Sequence, residues 1–195
     1  MQFNVPFGLN INLLNAAKCQ LDESWHYCDI TSPFSRIYLI TQGTGNIYPN
    51  NQKILLEPGY LYLIPAYVNC SYVCSDSLFQ YYLHFTQELN DGLNIYDFCS
   101  VVHKTEADDS DVQLFERLLK LNPEIGLRIA DPALYQQKVW LNKEIKYNAV
   151  SQYFESTGII YQLFSRFFSS DKTSEQGLIF WIKNLEINEF KDKDS

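Results

Sequence analysis

Apolar side chains come in short runs and alternations over the first half of the chain and at helical spacing over the second. Arg36-Ile-Tyr-Leu-Ile-Thr41 predicts a strand, ended by Gln42-Gly43-Thr44-Gly45, where two glycines permit a turn or bulge with positive φ. Asn46-Ile-Tyr48 continues beyond it. Pro49-Asn50-Asn51-Gln52 predicts a hairpin turn, because Asn tolerates the left-handed conformation, and Lys53-Ile-Leu-Leu56 returns as the partner. After the Glu57-Pro58-Gly59 turn, Tyr60-Leu-Tyr-Leu-Ile64 places Tyr60, Tyr62 and Ile64 on one face and Leu61 and Leu63 on the other. Both faces are apolar, as in the wall of a barrel or sandwich. Pro65 ends that run, and further short strands are predicted from Asn69 to Cys74 and from Phe79 to Thr86.

After Glu106 the period changes. Asp109-Ser110-Asp111 can cap a helix with Val112, Phe115, Leu118 and Leu119 on one face. Asp131-Pro132 predicts the start of another, carrying Leu134, Leu141 and Ile145. A third is predicted from about Ser151 to Phe168, where Phe154, Ile160, Tyr161, Leu163, Phe164, Phe167 and Phe168 form a surface wider than one neighbour needs. Its partners are either the barrel and the other helices, or these and a second subunit. Ser169 to Ser174 reads as a polar linker, and Leu178, Ile182 and Leu185 as one more helix.

Charge supports this division. From Phe34 to Phe85 only Arg36, Lys53, Glu57 and Asp76 carry formal charge, although the chain holds 15 Lys and Arg and 23 Asp and Glu. The net charge of −8 and the scattered cations argue against nucleic-acid binding by these residues themselves. No eighteen-residue apolar run provides a membrane span, and Met-Gln-Phe-Asn lacks the pattern of a signal peptide, so a cytoplasmic location is expected. With five cysteines and no export signal, no structural disulfide is expected.

Candidate chemistry is sparse. His26, His84 and His103 are far apart and lack a matching carboxylate, and Cys70 and Cys74 have no second pair, so neither a metal nor any other cofactor is expected. There is no nucleophile elbow, phosphate loop or dinucleotide fingerprint, so no catalytic residue is assigned and an enzyme is not expected. What stands out is tyrosine density: Tyr38, Tyr48, Tyr60, Tyr62, Tyr67, Tyr72, Tyr81 and Tyr82. Such side chains stack flat ligands and fix them through hydroxyls, although tyrosine is also a good strand residue. Arg36 and His84 project from core strands. For Arg36 the alternatives are a solvated rim position or a buried partner for an anion or hydroxyl; for His84, a core imidazole satisfied by backbone or a binding role.

The order Phe34-Ser-Arg-Ile-Tyr-Leu-Ile-Thr-Gln-Gly-Thr-Gly45, Leu56-Glu-Pro-Gly-Tyr-Leu-Tyr-Leu-Ile-Pro65 and Phe79-Gln-Tyr-Tyr-Leu-His-Phe85 resembles the sensor domain of AraC-family transcription regulators, in the form found in Bacteroides-like bacteria. The matching stretch runs from Trp25 to about Thr86. The resemblance implies an α+β fold: an N-terminal cupin-like antiparallel β-barrel (double-stranded β-helix) followed by a helical dimerisation layer. It divides the chain into an effector-binding barrel with an N-terminal arm over residues 1–105, a helical dimerisation region over 106–170, and a linker and approach helix over 171–195. It further implies a small-molecule effector such as a sugar, a homodimer, and DNA contact only through a separate helix-turn-helix domain. Met1 to Ala17 would form the arm or lid. Tyr72, Gln80 and Tyr82 correspond by position to sugar contacts of the family's arabinose-responsive member, and only Tyr72 keeps the residue type; with Tyr38, Arg36 and His84 they form the candidate effector site. Many relatives carry His where this chain has Cys70. The alternatives are a stand-alone cupin enzyme (a sugar isomerase or metal-dependent dioxygenase) and a dimerising adaptor with a tightly packed barrel.

Overall fold

A computed structural model describes residues 8–89, 94–97, 99–127, 131–132 and 145–173, with side chains up to 168. Strand β1 spans Asn10–Leu21, β2 His26–Thr31, β3 Ser35–Gly43, β4 Gly45–Pro49, β5 Ile54–Leu56, β6 Tyr60–Ile64, β7 Asn69–Val73, β8 Leu78–Glu88, β9 Cys99–Val101 and β10 Lys104–Glu106. Helix α1 spans Asp109–Leu121, α2 Val150–Ser165, and strand β11 Phe168–Thr173. One sheet has the order β1-β8-β3-β6-β10, a second β2-β7-β4-β5, and β9 and β11 form a separate pair. All the ladders are antiparallel.

Alternation along the strands gives the five-stranded sheet two buried faces. Tyr38, Ile40, Tyr62, Ile64 and Tyr82 share a core with Ile47, Leu56, Cys70 and Tyr72 of the other sheet, which closes the barrel. Ile37, Leu39, Leu61, Leu63, Tyr81, Leu83 and Phe85 point the other way, onto Phe115 and Leu118 of α1 and Ile159, Ile160, Leu163 and Phe164 of α2. Burying each such aliphatic side chain contributes about 1.5–3 kcal/mol. The five-stranded sheet is therefore the middle of three layers.

The turns are set by backbone chemistry. Asn50 and Asn51 adopt φ of 48° and 65° at the β4–β5 hairpin, the handedness that matches strand twist. At Gly43, φ is +76° and an added Cβ would lie 2.0 Å from the Ser77 carbonyl oxygen. Helix α1 is capped by Asp108, whose carboxylate accepts from the amides of Ser110 and Asp111 while the Asp111 carboxylate accepts from the Asp108 amide, so the cap lies one residue ahead of the predicted Asp109.

Three expectations change. The N-terminal segment is no free arm from Asn10 onward: that stretch is an edge strand paired with β8 from Asn10↔Glu88 to Leu21↔Leu78. Its alternation is broken by a bulge between Leu13 and Asn15, which hides the strand in the sequence. The stretch read as a polar linker forms β11 up to Thr173, paired with β9, because main-chain bonding to an available strand does not require apolar side chains. The third helix ends at Ser165, and its wide apolar surface divides: one side packs on the sheet, while Val150 and Phe154 remain 70% and 66% exposed. The helix predicted from Asp131 and the one carrying Leu178, Ile182 and Leu185 lie outside the described residues. Among the described residues no helix is long and apolar enough to cross a membrane.

Candidate functional site

The registers of β3, β6 and β8 stack the barrel's interior side chains in rows. Arg36 lies opposite His84 and Ile64, Tyr38 opposite Tyr82 and Tyr62, and Ile40 opposite Gln80 and Tyr60. Rows two residues apart along a strand are separated by about 6–7 Å, so the Arg36 and Gln80 rows lie about 13 Å apart. The facing sheet contributes Cys70 and Tyr72. The sequence thus brings all six candidate residues, Arg36, Tyr38, Tyr72, Gln80, Tyr82 and His84, to one interior.

Arg36 is 1% exposed, so it does not occupy the rim. Its guanidinium carbon sits 5.1 Å from the Tyr72 ring centroid and 5.9 Å from that of Phe34, an arrangement in which aromatic faces offset part of the loss of hydration. His84, 3% exposed, stacks with Phe34 and Tyr82 at centroid distances of 5.1 and 5.0 Å. Burial, and secondarily the Arg36 charge, hold its pKa well below the usual imidazole value, so the ring is neutral near pH 7. Trp25 leans on Tyr72 and Tyr38 at 5.2 and 6.3 Å.

Gln80 is also 3% exposed, and its Oε1 has no hydrogen-bond partner among the described residues. Beside it burial pushes the Cys19 thiol up to about 11, with a Gln80 hydrogen bond opposing the shift. Desolvation likewise raises the Cys70 thiol, so both remain neutral thiols. The other interior tyrosine, Tyr62, is committed to structure: its hydroxyl donates to the Leu55 carbonyl and accepts from the Glu57 amide, both at 2.9 Å. Tyr81 faces the helices instead, 5.5 Å from Phe115, and Tyr67 is exposed. Among the described residues no three His, Cys, Asp or Glu side chains gather as a metal site.

Trp25 and Phe34 were not singled out in the sequence, since each stands outside the regular strand alternation that marks the other wall residues. A second unmarked feature is the stretch after α1. Leu127 packs on the barrel core, and its amide donates to the Tyr82 hydroxyl at 2.7 Å.

Residues 24–93 match the family model described as the AraC-like ligand binding domain. No curated protein gives a match. Similar solved structures include the EutQ protein of Clostridium difficile, 17% identical, covering 43% of this chain and 71% of that one with a TM-score of 0.33. A cupin superfamily protein of Desulfitobacterium hafniense is 15% identical, covering 44% of this chain and 84% of that one with a TM-score of 0.33. A salicylate 1,2-dioxygenase mutant of Pseudoaminobacter salicylatoxidans is 11% identical, covering 43% and 30% respectively, again with a TM-score of 0.33.

Proposed function

We propose that the chain senses a small-molecule effector inside its barrel and, as a homodimer in the cytoplasm, controls a separate helix-turn-helix DNA-binding domain in the manner of AraC-type regulators, without catalysing a reaction. The observation that carries this reading is the burial of Arg36, Gln80 and His84 in an otherwise aromatic and aliphatic barrel interior. Burying such groups is costly for stability, and Gln80 Oε1, buried with no partner among the described residues, is an acceptor left for a ligand to satisfy. The match of residues 24–93 to a ligand-binding family supports the same reading.

A thermal-shift panel of pentoses, hexoses and small carboxylic acids tests it. An effector at a hundredfold excess over its Kd stabilises by about 2.7 kcal/mol, a readily measured rise in Tm. A panel without response, together with a stoichiometric transition metal by elemental analysis, overturns the reading.

For the dimer, the supporting feature is the outer side of α2. Val150, Phe154 and Tyr161 recur there at helical spacing and are exposed, and Gly158 between them would meet nothing within 4 Å if it carried a Cβ. A second copy would bury this stripe.

A further inference from the structure

The stretch Ile125–Leu127 joins the two hydrophobic cores. Ile125 packs on the outer core with α1 and α2, while Leu127, two residues later, packs on the barrel core. The crossing passes the edge strand β1. An added Cβ on Gly126 would lie 3.2 Å from Cβ of Ala17 and 3.6 Å from the Tyr82 hydroxyl, and the Asn15 amide, oriented to satisfy its hydrogen bonds, donates to the Ile125 carbonyl at 3.3 Å. Only a residue without a side chain passes here without displacing its neighbours.

Both ends are anchored to groups that matter elsewhere. At the inner end the Leu127 amide donates to Tyr82, a member of the candidate effector site, at 2.7 Å. At the outer end, three residues before Ile125, Asn122 closes α1: its Nδ2 donates to the Leu118 carbonyl at 3.0 Å and to Ser156 Oγ of α2 at 2.8 Å. Gln152 of α2 donates to the Leu121 carbonyl at 2.7 Å. Contacts and the short main-chain link between Asn122 and Ile125 therefore join Tyr82, through Leu127 and Ile125, to Asn122 and α2.

We propose that Ile125–Gly126–Leu127 is a strap that couples the barrel interior to the α1–α2 pair. A ligand that donates to the Tyr82 hydroxyl in place of the Leu127 amide, or fills the volume Leu127 occupies, competes with the strap; release of Leu127 loosens the α1 terminus and its bonds to α2. What drives the strap rests on the effector-sensing reading above, whereas its attachment to Tyr82 does not. The two states differ in the contacts available to the ligand, which is what a population shift requires.

Hydrogen–deuterium exchange on the full chain, resolved to single amides, tests the coupling without a ligand. Tyr82→Phe keeps the ring and removes the acceptor, so the Leu127 amide should exchange about tenfold faster or more, with faster exchange also at Leu121 and Asn122 and no change in β3 and β6. Tyr81→Phe, whose hydroxyl donates to Glu116 on the other face, should leave Leu127 unchanged. Unchanged protection of Leu127 in Tyr82→Phe, or equal loss throughout β3 and β6, overturns the proposal. Should Tyr82→Phe not fold, the branched side chain of Gly126→Val, extending beyond a Cβ that would already lie 3.2 Å from Ala17 Cβ, displaces the strap and should give the same local pattern; protection equal to wild type overturns the proposal as well. A silent ligand panel with the expected exchange pattern supports the strap while sensing fails; a ligand response with Leu127 unaffected overturns the strap while sensing stands.

Discussion

Arg36 and His84 face each other across the β3–β8 ladder, both buried, and the burial of His84 governs its proton binding. Because the folded His84 pKa is depressed, the unfolded chain binds a proton near the ordinary imidazole value of 6.5 while the folded chain remains unprotonated. Stability is therefore fully present above pH 6.5 and falls as pH drops below it, with a slope of about 1.4 kcal/mol per pH unit from this group until its folded pKa is reached. Urea denaturation at pH 7.5 and 5.5 should show the loss, and His84→Gln should show less of it. Gln80 allows folding to be separated from the recognition proposed for it. Since its Oε1 is buried without a partner among the described residues, Gln80→Leu should stabilise the chain by about 1 kcal/mol while abolishing the ligand-induced rise in Tm. A loss of stability accompanied by retained ligand response contradicts that role. The inward direction of Gln80, Tyr82 and His84 was legible from their two-residue spacing, but not the burial of Arg36, which depends on Phe34 and Tyr72 closing over it.

At the level of elements, the turns were readable because their requirements are local. Gly43 and Gly59 both have positive φ, yet only Gly43 has backbone in the way. Gly59→Ala should cost about 1–2 kcal/mol from backbone conformation alone, and Gly43→Ala clearly more, as compared by chemical denaturation. Strands β3 to β8 were legible through their alternation and the Asn50-Asn51 hairpin. Strands β1 and β2 were not, since β1 is interrupted by its bulge and pairs with β8 far along the chain. The α1–α2 contact is equally non-local. Ser156 is fully buried and accepts from Asn122, so Ser156→Ala should destabilise by about 1–3 kcal/mol, measurable as a fall in Tm, without altering the barrel.

At the scale of the whole molecule, the three-layer order places the exposed stripe of α2 on the helical layer, away from the barrel interior. Phe154→Glu should leave folding intact and convert a dimer to a monomer in sedimentation at micromolar concentration; wild-type chain that sediments only as monomer contradicts the dimer. The layer order also constrains how the sequence can change. Along β8, Gln80, Tyr82 and His84 face the barrel, while Tyr81, Leu83 and Phe85 face the helices. Substitutions on one set can proceed independently of the other, but loss or gain of a single residue within β8 exchanges the two sets, presenting aliphatic groups to the barrel interior and an imidazole to the helices. Composition on the barrel face of this strand is therefore free to drift, whereas its length is not; changes in length must be absorbed outside the strand, as in the Asp76–Ser77 turn that precedes it.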